Sequence, residues 1–192
     1  VLDALGISSA HVIGASMGGM IGQRLAIEHP DRVRSLCSIM SSPRQPRASF
    51  RLVWDLLKLN PDPGTREKRI ENRVEVFRLL NGNRFPFNED SARQQMTAAI
   101  DRAWHPEGAS RQLAAIMSDG DRRTALSNLH IPITVIHGTN DRMVLPKYGK
   151  ETAMVSSETD LVWIEGLGHV FSEEAWPEIL DAISRLVTRA DT

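Results

Sequence analysis

Apolar residues in this chain fall into two kinds of pattern. Four stretches are continuous or nearly so: Ala10-His11-Val12-Ile13-Gly14, Val33 to Met40, Ile131 to Ile136, and Thr159 to Ile164. Short apolar runs without alternation are those of strands covered on both faces, as in a parallel sheet flanked by helices. The other pattern is the helical spacing of three and four. Met20, Ile21, Leu25 and Ile27 can share one helix face that Pro30 closes, so the first two runs frame a βαβ unit. Ahead of it, Val1-Leu2-Asp3-Ala4-Leu5-Gly6 reads as a helix end closed by glycine. Past Ser41-Ser42-Pro43, helical spacing takes over at Phe50, Val53, Trp54 and Leu57, at Ile70, Val74, Phe77 and Leu80, at Ala92, Met96, Ala99 and Ala103, and at Leu113, Ile116 and Met117. A further helix is expected around Tyr148 to Val155. The chain ends on an amphipathic helix carrying Trp176, Ile179, Leu180, Ile183, Leu186 and Val187, with Pro177 acceptable in its first turn. These elements predict an α/β core over 1–42, a helical cap insertion over 43–123, and the return of the α/β core over 124–192.

Composition narrows the class. Of 192 residues, 41% are hydrophobic and 24% charged, with a mean hydropathy of -0.26, the profile of a globular domain. Lys and Arg total 23 against 24 Asp and Glu, so no electrostatic footprint for nucleic acid or acidic lipid is expected. With no run of about 18 apolar residues and no signal-peptide pattern at the start, a cytoplasmic protein without a membrane partner is expected. The lone cysteine, Cys37, excludes an internal disulfide and any multi-cysteine metal motif. Because it lies inside the run Val33 to Met40, it reads as a packing residue rather than a nucleophile.

Candidate chemistry begins at Gly14-Ala15-Ser16-Met17-Gly18, a G-x-S-x-G pattern set between an expected strand and an expected helix. A sharp strand-to-helix turn needs small flanking residues to lift the serine above the sheet edge. The backbone N–H of Met17 is the natural first oxyanion donor. A serine hydroxyl is a weak nucleophile and needs a base, itself oriented by an acid. Of the six histidines, His11, His29, His105, His130 and His137 read as structural or exposed. His169 follows the last strand in Gly166-Leu167-Gly168-His169, where ligand chemistry of open α/β sheets gathers. By the same logic Asp141, in His137-Gly138-Thr139-Asn140-Asp141, is the acid, with Glu165 as runner-up and simple turn capping as the plain alternative.

Ser16, Asp141 and His169 occur in the chain order of the α/β-hydrolases. The segment His11 to Gly19, the insert pieces Arg78-Leu79-Leu80-Asn81-Gly82 and Phe85-Pro86-Phe87, and the Gly168-His169 loop resemble serine esterases of the aclacinomycin methylesterase type. A serine, where related dehalogenases and epoxide hydrolases carry aspartate, favours an acyl-enzyme route with no metal and no cofactor. The expected substrate is a small or medium apolar carboxylic ester. Peptidase, thioesterase, lactonase, carbon–carbon hydrolase and perhydrolase activities share the same triad. The resemblance also implies four strands ahead of the nucleophile strand, including the loop that supplies a second oxyanion amide, so a fragment is expected. Its open sheet edge would take a missing N-terminal segment or self-associate. A non-catalytic ligand-binding domain is the alternative function. By the same resemblance the insert is a lid, and its Trp54, Phe77, Phe85, Phe87, Met96 and Trp104 are candidates to line an apolar pocket.

Overall fold

The computed structural model describes residues 1–59 and 64–192. Its frame is a four-stranded, wholly parallel sheet in the order β1 (Ala10–Ala15), β2 (Val33–Ile39), β3 (Ile133–Gly138) and β4 (Thr159–Ile164). Parallel neighbours need crossovers. Helix α1 (Met17–Glu28) supplies the first, and α7 (Pro146–Ala153) the last. The connection from β2 to β3 carries α2 (Phe50–Leu57), α3 (Arg66–Leu80), α4 (Glu89–Arg102), α5 (Pro106–Ser118) and α6 (Arg123–Leu126). Helix α8 (Trp176–Asp191) closes the chain.

Helices cover both faces. On one, Cys37, Ile39, Ile136 and Ile164 pack under Ile179, Ala182 and Leu186 of α8. On the other, Val33, Leu36, Ile133 and Val135 meet Ala26 of α1 together with Leu126 and Leu129. This two-sided burial is why β2 and β3 read as unbroken apolar runs. Strand β1 pairs only with β2 among the described residues and forms the sheet edge, so Ile13 is left 51% exposed.

Three apolar stripes do not pack as their spacing suggests. In α1 the buried positions are Gly19, Met20, Gly22, Gln23 and Ala26, while Ile21 faces solvent. In α2 the expected stripe of Phe50, Val53, Trp54 and Leu57 is exposed, and Leu52 with Leu56 packs instead. The reason lies in the anchors. The Ser49 side chain accepts from the Leu52 amide, the Ser49 amide donates to the Arg142 carbonyl, and Asp55 pairs with Arg142 at 3.2 Å, which fixes the opposite helix face inward. Helix α5 buries no residue, and its Leu113 and Met117 are exposed.

Arg122, almost fully buried, ties both ends of the β2–β3 excursion to the core. Its amide donates to the Pro43 carbonyl, and its guanidinium donates to the Ser42 carbonyl (2.7 Å), to Gln23 (3.0 Å) and to Asp119. Gln23 passes the network on to the Ser38 hydroxyl of β2 at 3.1 Å. A buried polar side chain in α1 is therefore fully explained by its partners.

Candidate active site

The site is assembled at the carboxyl ends of β1, β3 and β4. Ser16 occupies the single residue between β1 and α1, with φ 53° and ψ -119°, a conformation strained for any residue with a Cβ. Close packing holds it there. The Ser16 amide donates to Ile39 of β2 (2.8 Å), and its carbonyl accepts from the Ser41 hydroxyl (2.8 Å) and the Gly19 amide (3.0 Å). A Cβ on Gly19, the residue after the pattern, would stand 2.6 Å from that of Ser41, so a larger side chain there would push Ser41 away from the Ser16 carbonyl. The Met17 amide opens α1, where N–H groups have no intrahelical acceptor.

The second loop follows β3. Asp141 is 1% exposed, and its Oδ1 accepts from the amides of Met143 (2.9 Å) and Val144 (2.8 Å). Burial pushes the carboxyl pKa up, but hydrogen bonds from His137 and His169, and their charge when protonated, outweigh it and hold the group below the ordinary carboxylate value. The third loop follows β4. Gly166 adopts φ 66°, its amide donates to the Thr139 hydroxyl (2.8 Å), and the His169 amide donates to the Leu80 carbonyl (2.7 Å). Gly168 is forced by proximity, since a Cβ there would lie 2.0 Å from the Leu80 carbonyl oxygen.

These loops bring Ser16, His169 and Asp141 into one hydrogen-bonded line. His169 Nδ1 lies 2.7 Å from Asp141 Oδ2, and His169 Nε2 lies 2.9 Å from Ser16 Oγ. Because the carboxylate can only accept, Nδ1 carries the proton, which leaves Nε2 free to accept from the serine hydroxyl. Such an arrangement can take the proton from Ser16 as its oxygen attacks. Glu165, the alternative acid, is exposed. His11 is occupied elsewhere, with Nδ1 2.8 Å from the Ser35 hydroxyl and Nε2 3.3 Å from Asp191. Cys37 is buried beneath the sheet surface, and burial pushes its thiol up to about 12.

A cavity of about 590 Å³ opens onto Ser16 and His169. Of the aromatic candidates, Phe77 and Phe87 line it. The other aromatic expectations are corrected. Phe85 is buried in the core against α8, Trp54 lies on the solvent face of α2, and Met96 lines a separate 190 Å³ depression beside Trp104, onto whose ring Arg69 and Arg73 stack. In their place stand Met40, Phe171 and Trp176, which the spacing assigned to a strand end, to no element and to a helix stripe. Phe171 and Trp176 stack with centroids 5.1 Å apart. The signal for Phe171 was its position two residues past His169. Nothing local marked Met40, a non-glycine residue with φ 42° at the end of β2.

A parallel sheet that offers a serine on a strained strand–helix turn, with an acid and a histidine from later strand ends, is the architecture of one fold family. The chain belongs to it: the family model for the alpha/beta hydrolase fold matches residues 1–175. The chain is similar to rhodomycin D methylesterase DauP of Streptomyces sp. (strain C5), at 28% identity over 189 residues, covering 88% of this chain and 63% of the relative. It is also similar to the pimeloyl-[acyl-carrier protein] methyl ester esterase of Vibrio atlanticus (strain LGP32), at 24% over 151 residues, covering 77% and 58%. Among solved structures, the meta-cleavage product hydrolase CumD of Pseudomonas fluorescens IP01 shares the fold with a TM-score of 0.71 and 20% identity, over 98% of this chain and 66% of that one. The chain thus spans somewhat less than two thirds of the length of the curated relatives it matches. Among the described residues no helix is long and apolar enough to cross a membrane.

Proposed function

We propose that the protein is a serine hydrolase that cleaves small or medium apolar carboxylic esters. The observation that carries this reading is the unbroken line from Ser16 Oγ through His169 to the buried Asp141 carboxylate, at 2.9 and 2.7 Å. Ser16 attacks the ester carbonyl while His169 Nε2 takes its proton. The Met17 amide, at the positive end of α1, stabilises the oxyanion of the tetrahedral intermediate. His169 then protonates the leaving alcohol, and water repeats the sequence to release the acid. Asp141 holds the histidine tautomer and balances the imidazolium. The apolar cavity wall of Phe77, Phe87, Phe171 and Trp176 favours an apolar substrate body, and the resemblance to two methyl ester esterases favours a small alcohol leaving group.

Labelling with a fluorophosphonate, followed by peptide mapping, tests the nucleophile. Covalent modification at Ser16 that disappears in Ser16→Ala is expected, and a protein left unlabelled overturns the reading. A series of p-nitrophenyl esters of increasing acyl length then reports the depth of the apolar cavity.

A further inference from the structure

The triad leaves one buried titratable side chain beside it unused. His137, the last residue but one of β3, is fully buried. Its Nε2 lies 2.8 Å from the Val144 carbonyl and 3.5 Å from Asp141 Oδ2, the same carboxylate oxygen that receives His169. Both neighbours of Nε2 are pure acceptors, so Nε2 carries the proton. Nδ1 faces no partner among the described residues, so the hydrogen bonding of this buried ring is all on its Nε2 side.

We propose that His137 is a positioning residue for Asp141, clamping the Asp141–Val144 loop from beneath and presenting a second N–H to the carboxylate oxygen that orients His169. The inference rests on the triad reading given above. It is carried by a closed circuit: the Val144 amide donates to Asp141 Oδ1, the Val144 carbonyl accepts from His137, and His137 in turn faces Asp141 Oδ2. The carboxylate accepts on Oδ1 from two amides and on Oδ2 from His169, with the His137 N–H bonded to the Val144 carbonyl and standing 3.5 Å from the same Oδ2.

The surroundings hold the ring in place. Gly149 of α7 is pressed on it so closely that a Cβ there would lie 2.5 Å from Nδ1, and the Trp163 ring of β4 meets it edge-on at 6.0 Å. Neither neighbour titrates. The adjoining Tyr148 is buried with its hydroxyl unpartnered among the described residues, and Arg44 and Lys147 lie over its ring. Among the described residues Asp141 is the carboxylate facing His137. Its ionised form is favoured by both histidines against the opposing effect of burial, so removing one histidine shifts that balance toward the protonated acid.

The test is the rate of fluorophosphonate labelling of Ser16 as a function of pH in the wild-type protein, His137→Leu, His137→Asn and His137→Gln. Leu offers no N–H, and the shorter Asn amide sits where Nδ1 was. The Gln amide nitrogen can stand close to the position of Nε2. Leu and Asn are expected to slow labelling about 10- to 100-fold and to move its acidic limb to higher pH, with Gln restoring most of both. Leu or Asn protein that folds and labels with the wild-type rate and limb overturns the inference. Nitrogen-15 NMR of the wild-type ring supplies a reading that needs no variant: the Nε2–H tautomer of His137 is expected, and an Nδ1–H tautomer overturns the proposal even if every variant fails to fold. Wild-type protein left unlabelled, or labelling that survives Ser16→Ala, instead overturns the triad reading itself.

Discussion

The backbone of Gly14 passes so close beneath Gly18 that a Cβ on Gly14 would lie 2.2 Å from the Gly18 carbonyl oxygen. That contact lets the chain turn from β1 into α1 within one residue and keeps Ser16 at φ 53°. Gly14→Ala is therefore expected to force the turn open, with overpacking costing about 1–3 kcal/mol and fluorophosphonate labelling falling with it. Urea unfolding and labelling of the same preparation measure both. A variant with wild-type stability and labelling would show that the turn can relax.

Asp141 is expected to matter for turnover and for acid stability together. Asp141→Asn leaves the shape but favours the wrong histidine tautomer, so kcat should fall by about 10⁴. Since the folded carboxyl titrates below its ordinary value of 3.8, its contribution to stability is fully present above that value. That contribution is lost as pH drops through the lower folded value. Urea midpoints measured from pH 7 down to pH 3 should decline less steeply in Asp141→Asn than in the wild type.

Cys37 should behave as a core methyl-sized group. With its thiol pushed up to about 12, iodoacetamide at pH 8 is expected to leave it unmodified in the folded state and to label it fully in denaturant, as mass spectrometry would report. The raised folded pKa stabilises the fold below the unfolded thiol value, and the contribution declines as pH rises above it.

Arg122 is expected to be the costliest polar residue to lose away from the site. Truncation strands the Ser42 carbonyl and Gln23 without their donor, so Arg122→Ala should lower stability by about 3 kcal/mol. Because those partners span both ends of the β2–β3 excursion and α1, equilibrium unfolding followed by intrinsic fluorescence reads the loss. An unchanged urea midpoint would remove Arg122 from the account of how the excursion is anchored.

The cavity wall separates two aromatic residues that look equivalent in sequence. Phe77→Ala should raise KM for a medium-chain p-nitrophenyl ester about tenfold, the loss expected of part of an apolar contact. Trp54→Ala should leave KM unchanged, because Trp54 faces solvent on α2. Equal effects at both positions would mean that α2 turns its outer face toward substrate.

The parts of the site that were legible in the sequence were those fixed by local backbone demands. The glycines around Ser16, the Gly166–Gly168 turn before His169 and the acid four residues after His137 each follow a strand whose apolar run was itself unmistakable. The cavity wall was less legible. Phe77 and Phe87 were among the residues expected there, but Trp54 and Met96, large apolar residues of the same insert, lie elsewhere.

By itself, then, the sequence determined the strands of the parallel sheet, the turn that strains Ser16, and the order of Ser16, Asp141 and His169, because each rests on spacing within a few residues or on burial of a whole strand. Tertiary structure alone decided which face of α1 and α2 turns inward, that His137 reaches back to Asp141, and that Met40, Phe171 and Trp176 close the cavity. Helical periodicity offers an apolar stripe but does not say what it meets. In α2 a local serine cap and an ion pair to Arg142 outweighed the stripe, and Arg142, more than 80 residues away along the chain from Asp55, becomes its neighbour only after folding.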